Sequence, residues 1–553
     1  MPVTPYTGPF GRSELKHLLK RALFGASNAD LAFFQGWDLS GVVDYLLSFS
    51  NDTTPPLKTY WRLNGNTPDP SLVDSAVPFG TTWVNTVNNP IAPDQAITER
   101  VLSFASWRTG LILEQDRKLR EKLTLFWYNH MPVELGAVFD GDMLYNYDQI
   151  LRNHCMGNFR QMLVEVSKSP AMLTYLNGTL NTSVAPDENY ARELMELFTL
   201  GEGSGYTEAD VQAAARVLTG WFVRQFVNGV PILPDVVFRP QFHETSNKTF
   251  SAFFNNTVIQ GQSGNDAGDI ELNALLDMIL AKEEVSRFIC RQLYRFFVHG
   301  EIDSIAESEL IEPLAEVFRA NMGSPDQIRT VVRAMLTSEH FFQQDLRNCM
   351  VMPPVDLVVG AIRKLKFSLP TAPEQLEARY WIYRQVFFVV SYCGQDLYDP
   401  PNVAGWPAYH QFPQYDDLWL NTATYPARNG TLQSIIYNGF VTDGTLFQPT
   451  SRNLTFKPDL LAVVAEYSDP TDPNVIIAGT DDLLFAIPVS QGIRDTLKTN
   501  LLLLGQMSDI YWTDAYELYV ADPNTTNMTA QLVPQILLWL FMDMSKAGET
   551  QLH

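Results

Sequence analysis

Asp187-Glu188-Asn189-Tyr190-Ala191-Arg192-Glu193-Leu194-Met195-Glu196-Leu197 is the stretch whose reading decides the fold. On a helix of 3.6 residues per turn, Asn189, Glu193 and Glu196 share one face at spacings of four and three. Leu194, Leu197 and Phe198 keep that helix close to a core, so the pattern predicts a helix over 189–200. Glu188 stands at its start, where exposed backbone amides favour a carboxylate. Arg192 lies four residues before Glu196, the spacing of an ordinary ion pair along a helix.

Helical periodicity extends outward on both sides. Leu15, Leu18, Leu19, Ala22 and Leu23 form one early face, and Gly25 marks its stop. Leu119, Leu123, Phe126, Trp127 and His130 form a second, and Phe159, Met162, Leu163 and Val166 a third. Thr207-Glu208-Ala209-Asp210 reads as a capping box, and Ser324-Pro325-Asp326-Gln327 as a capped helix start. Residues 51–96, rich in Pro, Asn, Thr and Asp from Asn51-Asp52-Thr53-Thr54-Pro55-Pro56 onward, read as an irregular insertion. Over 221–262, Phe222, Val223, Phe226 and Val227, then Asn228-Gly229, then Val230, Ile232, Val236, Val237 and Phe238 predict short strands around a turn. Beyond a Pro/Gly/aromatic-rich loop at 395–428, Ser490 caps a helix through Ile493, Leu497 and Leu501, and a last helix lies near 530–546. The expected fold is all-α, predominantly helical, with a minor β excursion near 221–262. Residues 1–428 form a main helical domain and 429–553 a smaller C-terminal helical unit.

Composition narrows the function classes. In 553 residues, 39 Lys+Arg face 62 Asp+Glu, a formal charge of −23 that repels phosphate backbones, so no nucleic-acid partner is expected. No apolar run approaches 18 residues, so no transmembrane segment is expected. Met1-Pro2-Val3-Thr4-Pro5-Tyr6-Thr7-Gly8 lacks the basic patch and apolar core of a signal peptide. Cys155, Cys290, Cys349 and Cys393 are far apart and read as buried free thiols, one or two disulfides being the alternative for an exported protein.

Four blocks resemble the domain-of-unknown-function 1800 family, a bacterial group of helical proteins. They are His17 to Gly25, Glu121 to His130, Pro186 through Glu193 and Glu196 to Trp221, and Asp399-Pro400-Pro401-Asn402-Val403-Ala404-Gly405-Trp406-Pro407. The C-terminal unit looks like the extension of members from the Bacteroidetes group. The resemblance implies a fold and a genomic habit rather than a chemistry. Members are often exported, which favours a periplasmic or extracellular location, and often lie beside genes for a sulfatase-like family. His243 with Lys248 five residues later matches a further block of the family.

Two functions follow. The first is an accessory or interaction protein of the cell envelope with a sulfatase-like partner, self-association into a homo-oligomer being compatible with it. The second is a hydrolase, with glycans as its candidate substrates and Glu193, Glu196, His130 and His243 as its catalytic set. Two carboxylates one turn apart suit an acid/base pair or a bound divalent cation, though no cofactor is evident. Binding roles fall to Glu188, Asn189, Arg192, Lys248, Asn402 and Trp406. Three prolines stiffen the Asp399–Pro407 loop, and Trp406 offers a flat face for a sugar ring or a plug for the core. His130 extends an apolar stripe and so also reads as a hydrogen-bonded core residue. His154 and His340 read as structural, and His299 before Gly300 suits a helix end. Asp266-Ala267-Gly268-Asp269-Ile270-Glu271 and Asp469-Pro470-Thr471-Asp472 lack the EF-hand spacing and read as solvated turns. No HExxH, G-x-S-x-G or phosphate-loop motif occurs, which excludes the families those motifs define.

Overall fold

Leu15, Leu18, Leu19 and Ala22 are buried together on the helix Arg12–Ala22. The chain then turns through Gly25 (φ +81°), whose bare Cα faces Gly360 so closely that a Cβ would sit 2.5 Å from the Gly360 Cα. Only two glycines allow this crossing. The computed structural model describes residues 2–48, 53–88, 96–485 and 487–553. It is 55% helical and 7% strand, which makes the fold predominantly helical.

The long helix Ala96–Leu113 runs against Leu376–Tyr392 and, with Arg120–His130, against Gly141–His154. Every residue of Arg120–His130 is buried, so this helix is the centre of the molecule. Phe159–Ser167 carries the expected face, and Ser169 opens a further helix, Pro170–Tyr175, by accepting from the Met172 amide at 3.1 Å. Strands occur as antiparallel pairs, two of them within the expected excursion. The larger is the hairpin of Trp221–Val227 and Val230–Phe238, turning on Asn228 (φ +51°) and Gly229 (φ +76°). Positive φ at both turn residues is what a two-residue hairpin loop requires. Lys248–Thr249 pairs with Val258–Ile259. In the 51–96 insertion, residues 51–52 and 89–95 lie outside those described, and the remainder holds the small hairpin Arg62–Asn64 with Thr67–Asp69.

Three local expectations are corrected. The deciding helix spans Asn189–Glu196 rather than 189–200. Phe198 N–H bonds back to Glu193 O and Leu200 N–H to Met195 O, both 2.9 Å, in turns wider than α. The Thr199 hydroxyl meanwhile takes Leu194 O at 2.5 Å, a local competitor to helical bonding. At the second site the helix starts at Gln327, not behind Ser324, because carbonyls of Met156 and Gly157 receive the amides of Arg329 (3.0 Å) and Ile328 (3.1 Å). A neighbouring loop thus does the work of a cap. Glu271 is no part of a solvated turn: the helix Ala267–Leu280 turns it fully inward.

Buried apolar side chains form one large cluster, from Leu15 to Phe440 along the chain, and a second drawn mainly from Leu460 to Met544. The helix Thr424–Tyr437 runs through 428 and 429 and touches both Pro354–Lys364 and Val533–Met544. The final residues return to the main body, where Met352 N–H donates to Gln551 O at 2.8 Å and Arg428 Nε to Gln551 Oε1 at 2.7 Å.

Candidate functional site

The helix Asn189–Glu196 begins where Asp187 Oδ1 accepts the Asn189 amide at 2.9 Å. Arg192 turns away from Glu196. It donates to Glu188 Oε2 at 3.0 Å and grips Glu208, in the first turn of the next helix, through both terminal nitrogens. The expected Arg192–Glu196 pair is therefore replaced, since Glu208 offers two carboxylate oxygens to a two-pronged guanidinium.

Glu193 is left half-buried, with no hydrogen-bond or ion-pair partner among the described residues. Burial, then the charge of Glu196, push its carboxyl up to about 7. Among the described residues Glu196 itself receives only a long 3.4 Å bond, from the Tyr206 hydroxyl. Close by, the Tyr175 hydroxyl donates to Glu134 Oε1 at 2.7 Å. Burial, that bond and the charges of Glu134, Glu193 and Asp399 all raise the Tyr175 phenol. Tyr175 thus joins the helix carboxylates to Glu134 and Asp399. Asp399 accepts the Gly136 amide at 3.1 Å, and burial, then Glu134 and Asp396, raise its carboxyl. Neither Glu134 nor Tyr175 stood out in the sequence, where nothing links three segments some 60 and 200 residues apart except the fold.

The Asp399–Pro407 loop lies against the buried helix. Asn402 shapes it from within, its Oδ1 accepting the Ala404 amide at 2.9 Å and its carbonyl the Gly405 amide at 3.0 Å. Trp406 N–H donates to Asn129 Oδ1 at 2.8 Å. The Trp406 ring is buried, yet with Trp419, Asp396, Asp399, Pro401 and Gln411 it lines a groove of about 360 Å³. Neither indole N–H has a partner among the described residues.

The remaining sequence candidates lie elsewhere. His130 Nε2–H donates to Phe198 O at 3.0 Å, its ring stacks on Phe126, and burial lowers it to about 4. His243 and Lys248 meet on the fully buried Glu271. His243 Nε2 lies 3.1 Å from Glu271 Oε1, and Lys248 Nζ lies 2.7 Å from Oε2. Gln262 N–H adds a bond to Oε1 at 2.7 Å. The four residues proposed as a catalytic set are thus brought together only as the pair Glu193 and Glu196. Among the described residues, no group of three or more His, Cys, Asp and Glu side chains is placed to hold a metal ion. All four cysteines are free, and Cys349 alone is partly exposed.

A family model described as Protein of unknown function (DUF1800) matches residues 17–530. The chain belongs to the DUF1800 family. No curated protein and no solved structure matches it. In this DUF1800 chain the four blocks hold one another. In the second block, Asn129 Oδ1 accepts the Trp406 amide of the fourth, His130 Nε2 donates to Phe198 O of the third, and Lys122 Nζ lies 4.5 Å over the Phe24 ring of the first. Among the described residues, no helix is long and apolar enough to cross a membrane.

Proposed function

We propose that this chain is an accessory or interaction protein of the cell envelope, and that its C-terminal unit carries the docking face for a sulfatase-like protein encoded nearby. One observation carries the reading. The helix Gln491–Leu497 buries none of its residues, and Ile493 on it is 50% exposed. One turn later Leu497, then Leu501, meet Trp539 and Met542 of the last helix across a groove of about 370 Å³. Trp539 is itself 42% exposed, and Tyr511 and Leu518 stand exposed on one face of Ile510–Ala521. An apolar groove with an exposed tryptophan on its rim supports a role in binding another protein. Residues 429–553 hold 14 Asp+Glu against five Lys+Arg, so the partner surface is apolar with a Lys/Arg rim.

The test is co-expression with the neighbouring sulfatase-like protein, followed by size exclusion and calorimetry. A complex is expected, and Trp539→Glu is expected to weaken it at least about 30-fold, the loss of a hot-spot side chain of about 2 kcal/mol. No complex, or equal affinity for the variant, overturns the proposal.

Glu193 favours a second reading, a hydrolase acting on glycans. A carboxyl near 7 beside a second carboxylate suits general acid catalysis at neutral pH, and Asp396, Asp399 and Gln411 in the groove beside Trp406 offer polar partners for sugar hydroxyls. Turnover of a glycan panel, with and without a chelator, tests it. Activity unaffected by Glu193→Gln, or none at all, removes this reading.

A further inference from the structure

Cys349 sits in Leu346-Arg347-Asn348-Cys349, where Asn348 holds a left-handed backbone (φ +57°) and brings the sulfur against the first helix. Arg21 of that helix is 1% exposed. Its Nη2 donates to Leu346 O at 3.1 Å and lies 3.6 Å from Cys349 Sγ. Its Nε and Nη1 have no partner, and it forms no ion pair with a carboxylate among the described residues. A guanidinium out of water without an anion is costly, and the sulfur is the group placed to supply one.

A second cation reaches the same atom from another element. His299 follows the helix Glu283–Phe297 and stands within electrostatic reach of Cys349. Its Nδ1 faces the Glu301 backbone, 3.1 Å from the carbonyl and 3.2 Å from the amide. The Cys349 sulfur raises the imidazole to about 9 against the opposing effect of burial. For Cys349 burial acts upward, but the neighbouring His299 and Arg21 cations outweigh it and hold the thiol below its ordinary value. Asp416, fixed by the Val351 amide at 2.8 Å, lies within electrostatic reach of His299, as Tyr294 does of the sulfur. Cys155, Cys290 and Cys393 differ in kind: all are buried, and burial raises each.

We propose that Cys349 is a modification site, a nucleophilic sulfur held between Arg21 and His299 and taken by small hydroperoxides. In that step Sγ attacks the terminal peroxide oxygen, an S–O bond forms and the O–O bond breaks. The sulfur is oxidised to the sulfenic acid and the peroxide is reduced; the departing alkoxide, or hydroxide when the oxidant is hydrogen peroxide, takes a proton from the His299 imidazolium and leaves as the alcohol or water. Thiolate character with partial access is the condition for such selectivity.

The full-length protein is treated with iodoacetamide from pH 5.5 to 9 and the four cysteines are followed by peptide mass mapping. Cys349 is expected to react first, with a rate that falls less steeply between pH 8 and pH 6 than that of an unperturbed thiol. A thiol at the unperturbed value of about 8.5 would slow about 75-fold over that range. His299→Gln is expected to restore that steep fall while leaving the rate at pH 9 within about 3-fold. Hydrogen peroxide followed by dimedone is expected to label Cys349 and spare the other three. A steep profile for Cys349 in the unmodified protein, or dimedone labelling no greater than at Cys155, overturns the proposal; neither result depends on a variant folding.

Discussion

Lys248 and Glu271 make the sharpest prediction about what holds this fold together. Both side chains are 0% exposed and lie 2.7 Å apart. Replacing Glu271 by Met strands a buried ammonium whose remaining partners are Glu244 O and, at 3.7 Å, Glu244 Oε2. Replacing Lys248 by Met strands a carboxylate that keeps only His243 and the Gln262 amide. Removing one member of a buried pair costs about 3–5 kcal/mol, whereas exchanging both for apolar groups of similar volume is often close to neutral. For 553 residues the unfolding entropy is about 1.2 kcal/mol/K, so each single variant should lower Tm by about 3–4 °C. The Lys248→Met/Glu271→Met double variant should lose no more than either single, a coupling of at least about 3 kcal/mol. Differential scanning calorimetry of the four proteins is the assay. Additive losses in the double variant would refute the reasoning, because they would mean the two charges act independently.

Three further outcomes follow from the site. His130 stays neutral in the fold, and burial holds it near 4 against an ordinary 6.5, so the unfolded chain binds its proton first. The stability it contributes is present above pH 6.5 and is lost as pH falls toward 4, at up to about 1.4 kcal/mol per pH unit; urea midpoints of His130→Gln should show a slope shallower by up to one proton, and an unchanged slope refutes this. Glu193 has the opposite sign, its folded value near 7 lying above the unfolded one, so its contribution is lost as pH rises from about 4.5 through 7. Glu193→Gln should therefore raise Tm at pH 8 and leave it unchanged at pH 4, and a variant less stable at pH 8 would show that the carboxylate is a support. Gly405→Ala places a Cβ 2.4 Å from Asn129 O at φ +86°, on the residue that receives Trp406, and should cost about 2–4 kcal/mol with a red-shifted tryptophan emission.

What the sequence made legible is what local physics decides. Periodicity found the faces of Arg12–Ala22, Arg120–His130 and Phe159–Ser167, and Asn228-Gly229 located its hairpin. The Thr207–Asp210 box formed as written, Thr207 N–H meeting Asp210 Oδ2 at 2.7 Å. What stayed hidden depends on partners far along the chain. Lys122 reaches Asp356, 234 residues away, and Arg21 reaches Cys349, 328 away. Arg192 had one expected partner by spacing, and the fold supplied a better one in Glu208. Glu271 looked like one more acid in a polar run, and only the helix phase from Ala267 revealed it as the counter-ion of Lys248.

The same buried pairs change what the net charge of −23 means. Among the described residues ten Lys and Arg side chains are buried, and so are ten Asp and Glu. The interior is thus balanced, and among the residues whose burial is described, subtracting each ten leaves 29 basic against 49 acidic groups outside it. The surplus is carried by the surface alone, at a ratio steeper than composition suggests. An acidic surplus of this size makes a basic-rimmed protein the better electrostatic match for the apolar C-terminal face than a second copy carrying the same surplus. This electrostatic asymmetry is why the proposed partner of the Trp539 face is a different protein rather than a twin.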